Sequence, residues 1–516
     1  MNGESAWLSK IGFRRPKKEA WIVLPVVAAL TVVVWLNGLL ITTKISTPWP
    51  NSPWESAIIC DAWRMSHGQA IYVDVEKGPS PMMYGPLMPF VLGKTLSMVG
   101  TNLHVGRVLS LLSSIAATGL IAFSLTRGRP QAHFFAGWIF LTGVNLCSKN
   151  YFVETRPDME ALLFSVAALL MLYRGHCHRK WAFCVGGTTM LIVAFFFKQT
   201  TAMFSAIPPI VCLLEKKSAN SKPGFLISLL PLTALLITIG GCKVFFPWVY
   251  HYMIGVNSGN LIQPFNLQIR AIQLFSLAPL FLVALFDWLK SGEADLGRDA
   301  VARWIVASLV VVIPTCVITA APSGGDLNAL IPAWLVLAAF CVHRSGQFQA
   351  LLANGGHSLG TRLASSVLLA ALILLSTCGQ LHTAIPSAFA SHGDQRYEAI
   401  IRHTASLPGK VVCPQDPTIP LFAKGYAGRS LYAELSHAIT DGQWPTALPK
   451  YVLDEMAGAD YVIQMSSSFG GNRVTDDTLE ALHFRPASVQ KIANSCYVLW
   501  KRDTRLLKPF SPRVLP

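Results

Sequence analysis

Apolar runs of about 20 residues recur along most of the chain, and Lys and Arg stand at their ends rather than inside them. Such a run crosses a bilayer as a helix, because in hydrocarbon every backbone N–H and C=O must find its partner within the segment. Only 13% of the 516 residues are charged and 52% are hydrophobic, where a soluble domain carries roughly 25% charged residues. The chain therefore reads as an α-helical polytopic membrane protein. The formal charge of +15 could suggest nucleic acid, but its placement at the ends of the runs is a topology signal, and no nucleic-acid partner is expected.

Residues 1–20 are polar and basic, with Lys10, Arg14, Arg15, Lys17 and Lys18. The positive-inside rule places them in the cytoplasm. The first span is expected over 21–41, followed by a large outer loop at 42–103. Further spans are expected at 104–126, 132–149, 159–173, 181–197, 199–214, 224–246, 271–289, 303–320, 328–343 and 363–382, making about eleven. Alternate loops carry the basic residues: Arg127 and Arg129; Arg174, Arg179 and Lys180; Lys216, Lys217 and Lys222; Lys290, Arg298 and Arg303; Arg344 and Arg362. All fall on the N-terminal side, so span count and charge bias agree. They give a membrane domain over 21–382 and an extracytoplasmic tail over 383–516.

The tail changes to a soluble composition. KVVCPQD, ADYVIQM and CYVLWKR read as strands, and 396–407 and 449–456 as helices, so a small α/β domain is expected. Most of the 11 Cys lie inside apolar runs without metal-ligand spacing. They read as small buried hydrophobes, and no metal is expected. Cys413 and Cys496 lie in the tail, where an extracytoplasmic disulfide is an open alternative.

The densest chemistry lies between 54 and 87, in the first outer loop. Glu55, Asp61, Asp74 and Glu76 stand there with Arg64 and Lys77. Ser52, Pro53 and Glu55 occupy the cap, first and third positions of a helix start, and Gly68 supplies its stop. That helix is expected to lie along the membrane surface, and 87–99 to form a second short one. Glu55 has two readings, a general base or the acid of a capping box. Asp61 and Arg64 share a helix face, so they read either as a local ion pair or as a second acid with a phosphate ligand. Lys77 reads as a phosphate contact or a solvated charge. Tyr84 in YGPL reads as loop architecture at the interface. Arg156 and Asp158 in RPD open a span at the outer side. Lys198 in KQT, between two runs with almost no loop, reads as a snorkelling cation or a phosphate ligand. Asp326 and Asn328 in GGDLN read as a tight polar outer turn that caps a helix or as a sugar contact.

In order, the chain presents an acid after the first span; Gly68, Tyr72 and Asp74; YGPL; a stretch from Gly100 to Gly106 and Arg107; RPD; KQT; and GGDLN. This series resembles the GT-C membrane glycosyltransferases, most nearly the protein-O-mannosyltransferase and aminoarabinose-transferase group. The resemblance covers about 20–382. It implies a GT-C-like fold, a polyprenyl-phosphate-linked sugar donor, no cofactor, and an inverting displacement on the outer face of a bacterial inner membrane. The acceptor would be a hydroxyl of a lipid, glycan or protein. The family's catalytic acid maps best to Glu55, with Asp61 as the competing match, and its phosphate ligands to Arg64, Lys77 and Lys198. The reading from another class is a transporter or flippase of lipid-linked sugars.

Overall fold

The computed structural model describes residues 20–126, 144–145, 151–215, 222–256, 261–274, 281–282, 284–285, 288, 299–322, 325–353, 367–368, 370–371, 374, 394–439, 445, 447–466, 474–492 and 495–503. Its first helix, α1 (Ala20–Ser46), continues five residues past the apolar run and ends with Lys44 in its last turn. Val26, Ala29, Leu30, Val33, Asn37 and Leu40 form its buried face, while Leu24, Val32, Val34 and Trp35 are exposed. Large apolar side chains turned outward on a hydrophobic helix are what a lipid-facing surface requires.

Helix α2 (Pro53–Ser66) starts where the sequence places it. Ser52 caps it by accepting from the Glu55 N–H, Pro53 occupies the first position, and Gly68 beyond its end takes φ 72°. Ten of its 14 residues are buried, so α2 is packed against protein over most of its surface. Helix α3 (Leu87–Val99) crosses it so closely that a Cβ on Gly93 would stand 2.6 Å from the Ala62 carbonyl oxygen.

Then come α4 (His104–Thr126), α5 (Asp158–His178) and α6 (Trp181–Phe197). The α5/α6 hairpin is close-packed, with Gly187 against Ala168 and Leu172. The expected span at 199–214 is divided. Gln199–Ala206 is a 3₁₀ helix and α7 (Ile207–Leu214) completes the run. Next are α8 (Lys222–Phe245), a helical stretch over Pro247–Gly255, and α9 (Pro264–Leu274). The expected 247–270 loop is thus substantially helical. Helices α10 (Ala300–Ala320) and α11 (Ile331–Ala353) complete the bundle, joined at a 3₁₀ turn over Leu327–Leu330. Among the described residues, six helical segments are long and apolar enough to cross a membrane, alongside three shorter apolar ones. The expected spans at 132–149 and 363–382, and most of 271–289, lie outside the described residues.

The C-terminal unit contains α12 (Asp394–Ser406), β1 (Val411–Val412), α13 (Thr418–Lys424), α14 (Leu431–His437), α15 (Lys450–Ala457), β2 (Tyr461–Ser466), α16 (Asp476–Ala481), β3 (Phe484–Ile492) and β4 (Ser495–Arg502). The sheet order is β1-β2-β4-β3, with β1 parallel to β2 and the other pairs antiparallel. β3 is the strand the sequence reading missed. Alternation along β2 sends Tyr461, Ile463 and Met465 into one core and Val462 into the other. Cys413 is a free, buried thiol, and the side chain of Cys496, the partner left open for it, lies outside the described residues.

This unit is docked on the first outer loop. Arg64 donates to the Gly428 carbonyl at 2.5 Å, and Arg429 to the Val75 carbonyl at 3.1 Å. The Glu434 carboxylate takes the Ser80 N–H and hydroxyl, at 3.0 and 2.5 Å. The His437 Nε2 lies 2.6 Å from the Pro81 carbonyl oxygen. Burial holds the His437 imidazole at about 4, against the raising effect of the Pro81 carbonyl. An unfolded histidine near 6.5 takes up its proton first. This residue's contribution is therefore complete above about 6.5 and is lost as the pH falls toward 4. Thermal unfolding compared between the native chain and His437→Gln should show the native advantage shrinking across that interval. A difference independent of pH would remove the argument.

Candidate active site

The four motifs YGPL, RPD, KQT and GGDLN converge on one place. The Gly85 N–H donates to the Phe197 carbonyl at 3.2 Å, and Gln199 Nε2 to the Met83 carbonyl at 2.9 Å. A Cβ on Gly85 would fall 1.8 Å from the Phe196 carbonyl oxygen, so only glycine lets this strap cross the end of α6. That crossing sets Lys198 against Asp158, at the first turn of α5. Lys198 pairs with Asp158 Oδ1, which also accepts from Asn328 Nδ2 at 3.1 Å. All three residues are buried.

Arg156 lies beside this pair. Its guanidinium stacks 4.5 Å from the Tyr151 ring and 5.1 Å from that of Trp54, and its Nε stands 3.2 Å from a Glu154 carboxylate oxygen. Tyr151 in turn donates its hydroxyl to Asp326. Burial raises the Asp326 carboxyl, but that hydroxyl, the Leu327 N–H and the charges of Arg156 and Arg270 outweigh it and hold the group below the usual carboxylate range. Arg270 secures the same turn by donating to the Gly325 carbonyl at 2.5 Å. Tyr84 is buried and lies in electrostatic reach of Arg156, Asp158, Glu154 and Asp326.

The cluster is incompletely satisfied. Glu154 Oε1, Arg156 Nε, Asp158 Oδ2 and Gln199 Oε1 are buried and have no hydrogen-bond partner. A buried polar atom without a partner costs about 1–3 kcal/mol. Four in one cluster mark a place prepared for a polar ligand.

The residues of the first outer loop take other places. Glu55 is fully buried and accepts from five donors: Arg107 Nε and Nη2 at 2.9 and 2.8 Å, the Asn51 N–H at 2.6 Å, and the Thr155 N–H and hydroxyl at 3.1 and 2.7 Å. Burial raises its carboxyl, but the Arg107 charge and these donors outweigh it and hold the group below the usual range. The capping reading is therefore half right. Glu55 lies in the first turn of α2, yet its carboxylate reaches the Asn51 N–H and ties together the outer ends of α1, α4 and α5. Both carboxylate oxygens being engaged, the expected role of base finds no geometric support. Asp61 accepts from Arg64 and from the Met82 N–H, each at 2.9 Å, and burial, against the pull of Arg64, pushes it up to about 6. Arg64 docks the C-terminal unit, and the phosphate role expected for it has no opening. Lys77 is exposed on the Asp74–Gly78 turn, away from the bonds that join the motifs.

Tyr84, Arg156, Asp158, Lys198, Asp326 and Asn328 are thus brought together, while Glu55, Asp61, Arg64 and Lys77 are not among them. Sequence reasoning missed Glu154, Tyr151 and Lys44 as members of the cluster. An acid, a base and a tyrosine within six residues at the outer mouth of a span was the available signal.

The architecture is that of a polytopic helical membrane protein with a small C-terminal α/β unit. Two solved structures carry the comparison. One is ArnT from Cupriavidus metallidurans bound to undecaprenyl phosphate, with 13% identity, 93% of this chain and 98% of that chain covered, and a TM-score of 0.50. The other is the apo state of the same protein, with 14% identity, the same coverage and the same TM-score. No protein-family model and no curated protein sequence matches the chain. With six long apolar helices among the described residues, the chain is an integral membrane protein.

Proposed function

We propose that this protein is a membrane glycosyltransferase that moves a sugar from a polyprenyl-phosphate carrier to a hydroxyl of a lipid, glycan or protein acceptor. The supporting observation is the buried cluster of Lys198 and Arg156, with the unpartnered oxygens of Glu154, Asp158 and Gln199 beside them. A carrier-linked sugar is a phosphodiester with one negative charge. When its anomeric C–O bond breaks, the carrier departs as a phosphate monoester with a second. Fixed cations that meet this growing charge stabilise the transition state more than the ground state. Lys198 and Arg156 are suited to that work, and Asn328 and Tyr84 to holding sugar hydroxyls. The structure of ArnT with undecaprenyl phosphate adds weight to the choice of donor. The reading uses only the chain's own groups and needs no cofactor.

In this reading the basic loops support an N-terminus in the cytoplasm and a C-terminal unit outside, and the family resemblance supports a bacterial inner membrane. Purified protein in lipid vesicles should release carrier phosphate from one of a panel of labelled undecaprenyl-phosphate sugars and pass the label to an acceptor. Donor that changes leaflet with its glycosidic bond intact would replace the transferase with a flippase.

A further inference from the structure

Six carboxylates lie in or beside the motif cluster, and their partners separate them; Glu160, in the first turn of α5, accepts from Ser110 of α4 at 3.3 Å, and its other oxygen is buried without a partner. Glu55 accepts at both oxygens from Arg107, Asn51 and Thr155; Asp61 from Arg64 and Met82; Asp326 from Tyr151 and Leu327. None of these three has an oxygen left for substrate. Asp158 gives Oδ1 to Lys198 and Asn328 and has Oδ2 open. It is the residue that holds Lys198 in place. Glu154 faces Arg156 Nε with one oxygen at 3.2 Å, and its Oε1 is buried and without a partner.

The backbone around Glu154 is fixed from both sides. Its N–H donates to the Tyr151 carbonyl at 3.3 Å, and Thr155, the next residue, is clamped on Glu55 by its N–H and hydroxyl. Gly106 of α4 presses on the same Thr155, where a Cβ would meet its methyl group at 2.3 Å. The side chain is 3% exposed. It lies in electrostatic reach of Lys44 at the outer end of α1, of Tyr84 in the strap and of Tyr151. Glu154 is therefore a held carboxylate with one uncommitted oxygen, beside the cations suited to the carrier phosphate.

We infer that Glu154 is the general base of the transfer. The inference rests on the transferase reading above. The acceptor O–H gives its proton to Glu154 Oε1, and the freed lone pair forms the new bond at the anomeric carbon. The old C–O bond breaks with its electrons passing to the carrier phosphate, beside Arg156 and Lys198. Arg156, which touches both Glu154 and the aromatic pair, keeps the base and the leaving group in one frame.

The test uses the full chain in lipid nanodiscs, with the native protein, Glu154→Gln and Glu154→Ala, and the undecaprenyl-phosphate sugar that the native protein consumes. A positioned base contributes about 10²–10⁴-fold, so both variants should lose transfer on that scale while binding undecaprenyl phosphate as the native protein does. Azide attacks without giving up a proton. Added azide should therefore restore donor cleavage in Glu154→Ala, with a glycosyl azide as the product. Native-rate transfer in Glu154→Gln overturns the assignment, and so does a folded, donor-binding Glu154→Ala that azide does not rescue. A native protein that binds undecaprenyl phosphate but cleaves no donor overturns the transferase reading itself.

Discussion

Arg107→Met should cost the protein about 3–5 kcal/mol of stability, the loss expected when one partner of a buried ion pair is removed and the other stays charged. Arg107 and Glu55 are both fully buried, and the pair closes through two bonds at 2.9 and 2.8 Å. The guanidinium also donates to the Ile45, Thr47 and Trp49 carbonyls, which fixes the chain as it leaves α1. Without it, Glu55 keeps three donors from Asn51 and Thr155 but loses its countercharge, and three carbonyls lose a donor. Yield of monodisperse protein and its apparent melting temperature should both fall sharply. Glu55→Gln should destabilise less, since the amide oxygen still accepts from Thr155. Native-like melting in Arg107→Met would show that the pair is not the tie between α1, α2, α4 and α5 described here.

Lys198→Met should nearly abolish transfer. The loss of a single preorganised group that meets developing negative charge costs about 10²–10³ in rate, and Lys198 is one of the two cations suited to the carrier phosphate. The substitution also leaves Asp158 buried with an unbalanced charge, so a fall in activity alone would be ambiguous. The double variant Lys198→Met, Asp158→Asn removes both charges together. It should recover thermal stability toward the native value without recovering transfer. Recovery of transfer would reduce the lysine to a structural partner of Asp158.

How much of this was legible in the sequence depended on how local the determinant was. The start and stop of α2 were readable, because Ser52, Pro53 and Gly68 act on their own backbone. Several spans were readable from apolar runs, and β1, β2 and β4 from short β-branched and aromatic segments. β3 escaped because FRPASVQKI carries a proline and little alternation, and a register shift between Pro486 and Ser488 accommodates it against β4. The run at 199–214 read as one helix although its first half is a 3₁₀ helix, a difference set by the crossing strap rather than by local composition. For the site, the order of the motifs identified the segments, and six of the ten named residues meet. The sequence reading weighed Glu55 against Asp61, and what engages the Glu55 carboxylate is an arginine 52 residues away. Whether a carboxylate is open or fully engaged depends on long-range partners, and no spacing rule in one sequence reports that. Arg64 was misplaced for the same reason, since its partner Gly428 lies 364 residues downstream.

The most direct test of the account is a cryo-EM map of the full chain in nanodiscs with undecaprenyl phosphate. The expected result is phosphate density against Lys198 and Arg156, at the crossing of the Tyr84–Gly85 strap over the end of α6. Phosphate density on Arg64 or Lys77, with the Lys198–Asp158 pair undisturbed and no ligand beside Arg156, would contradict it.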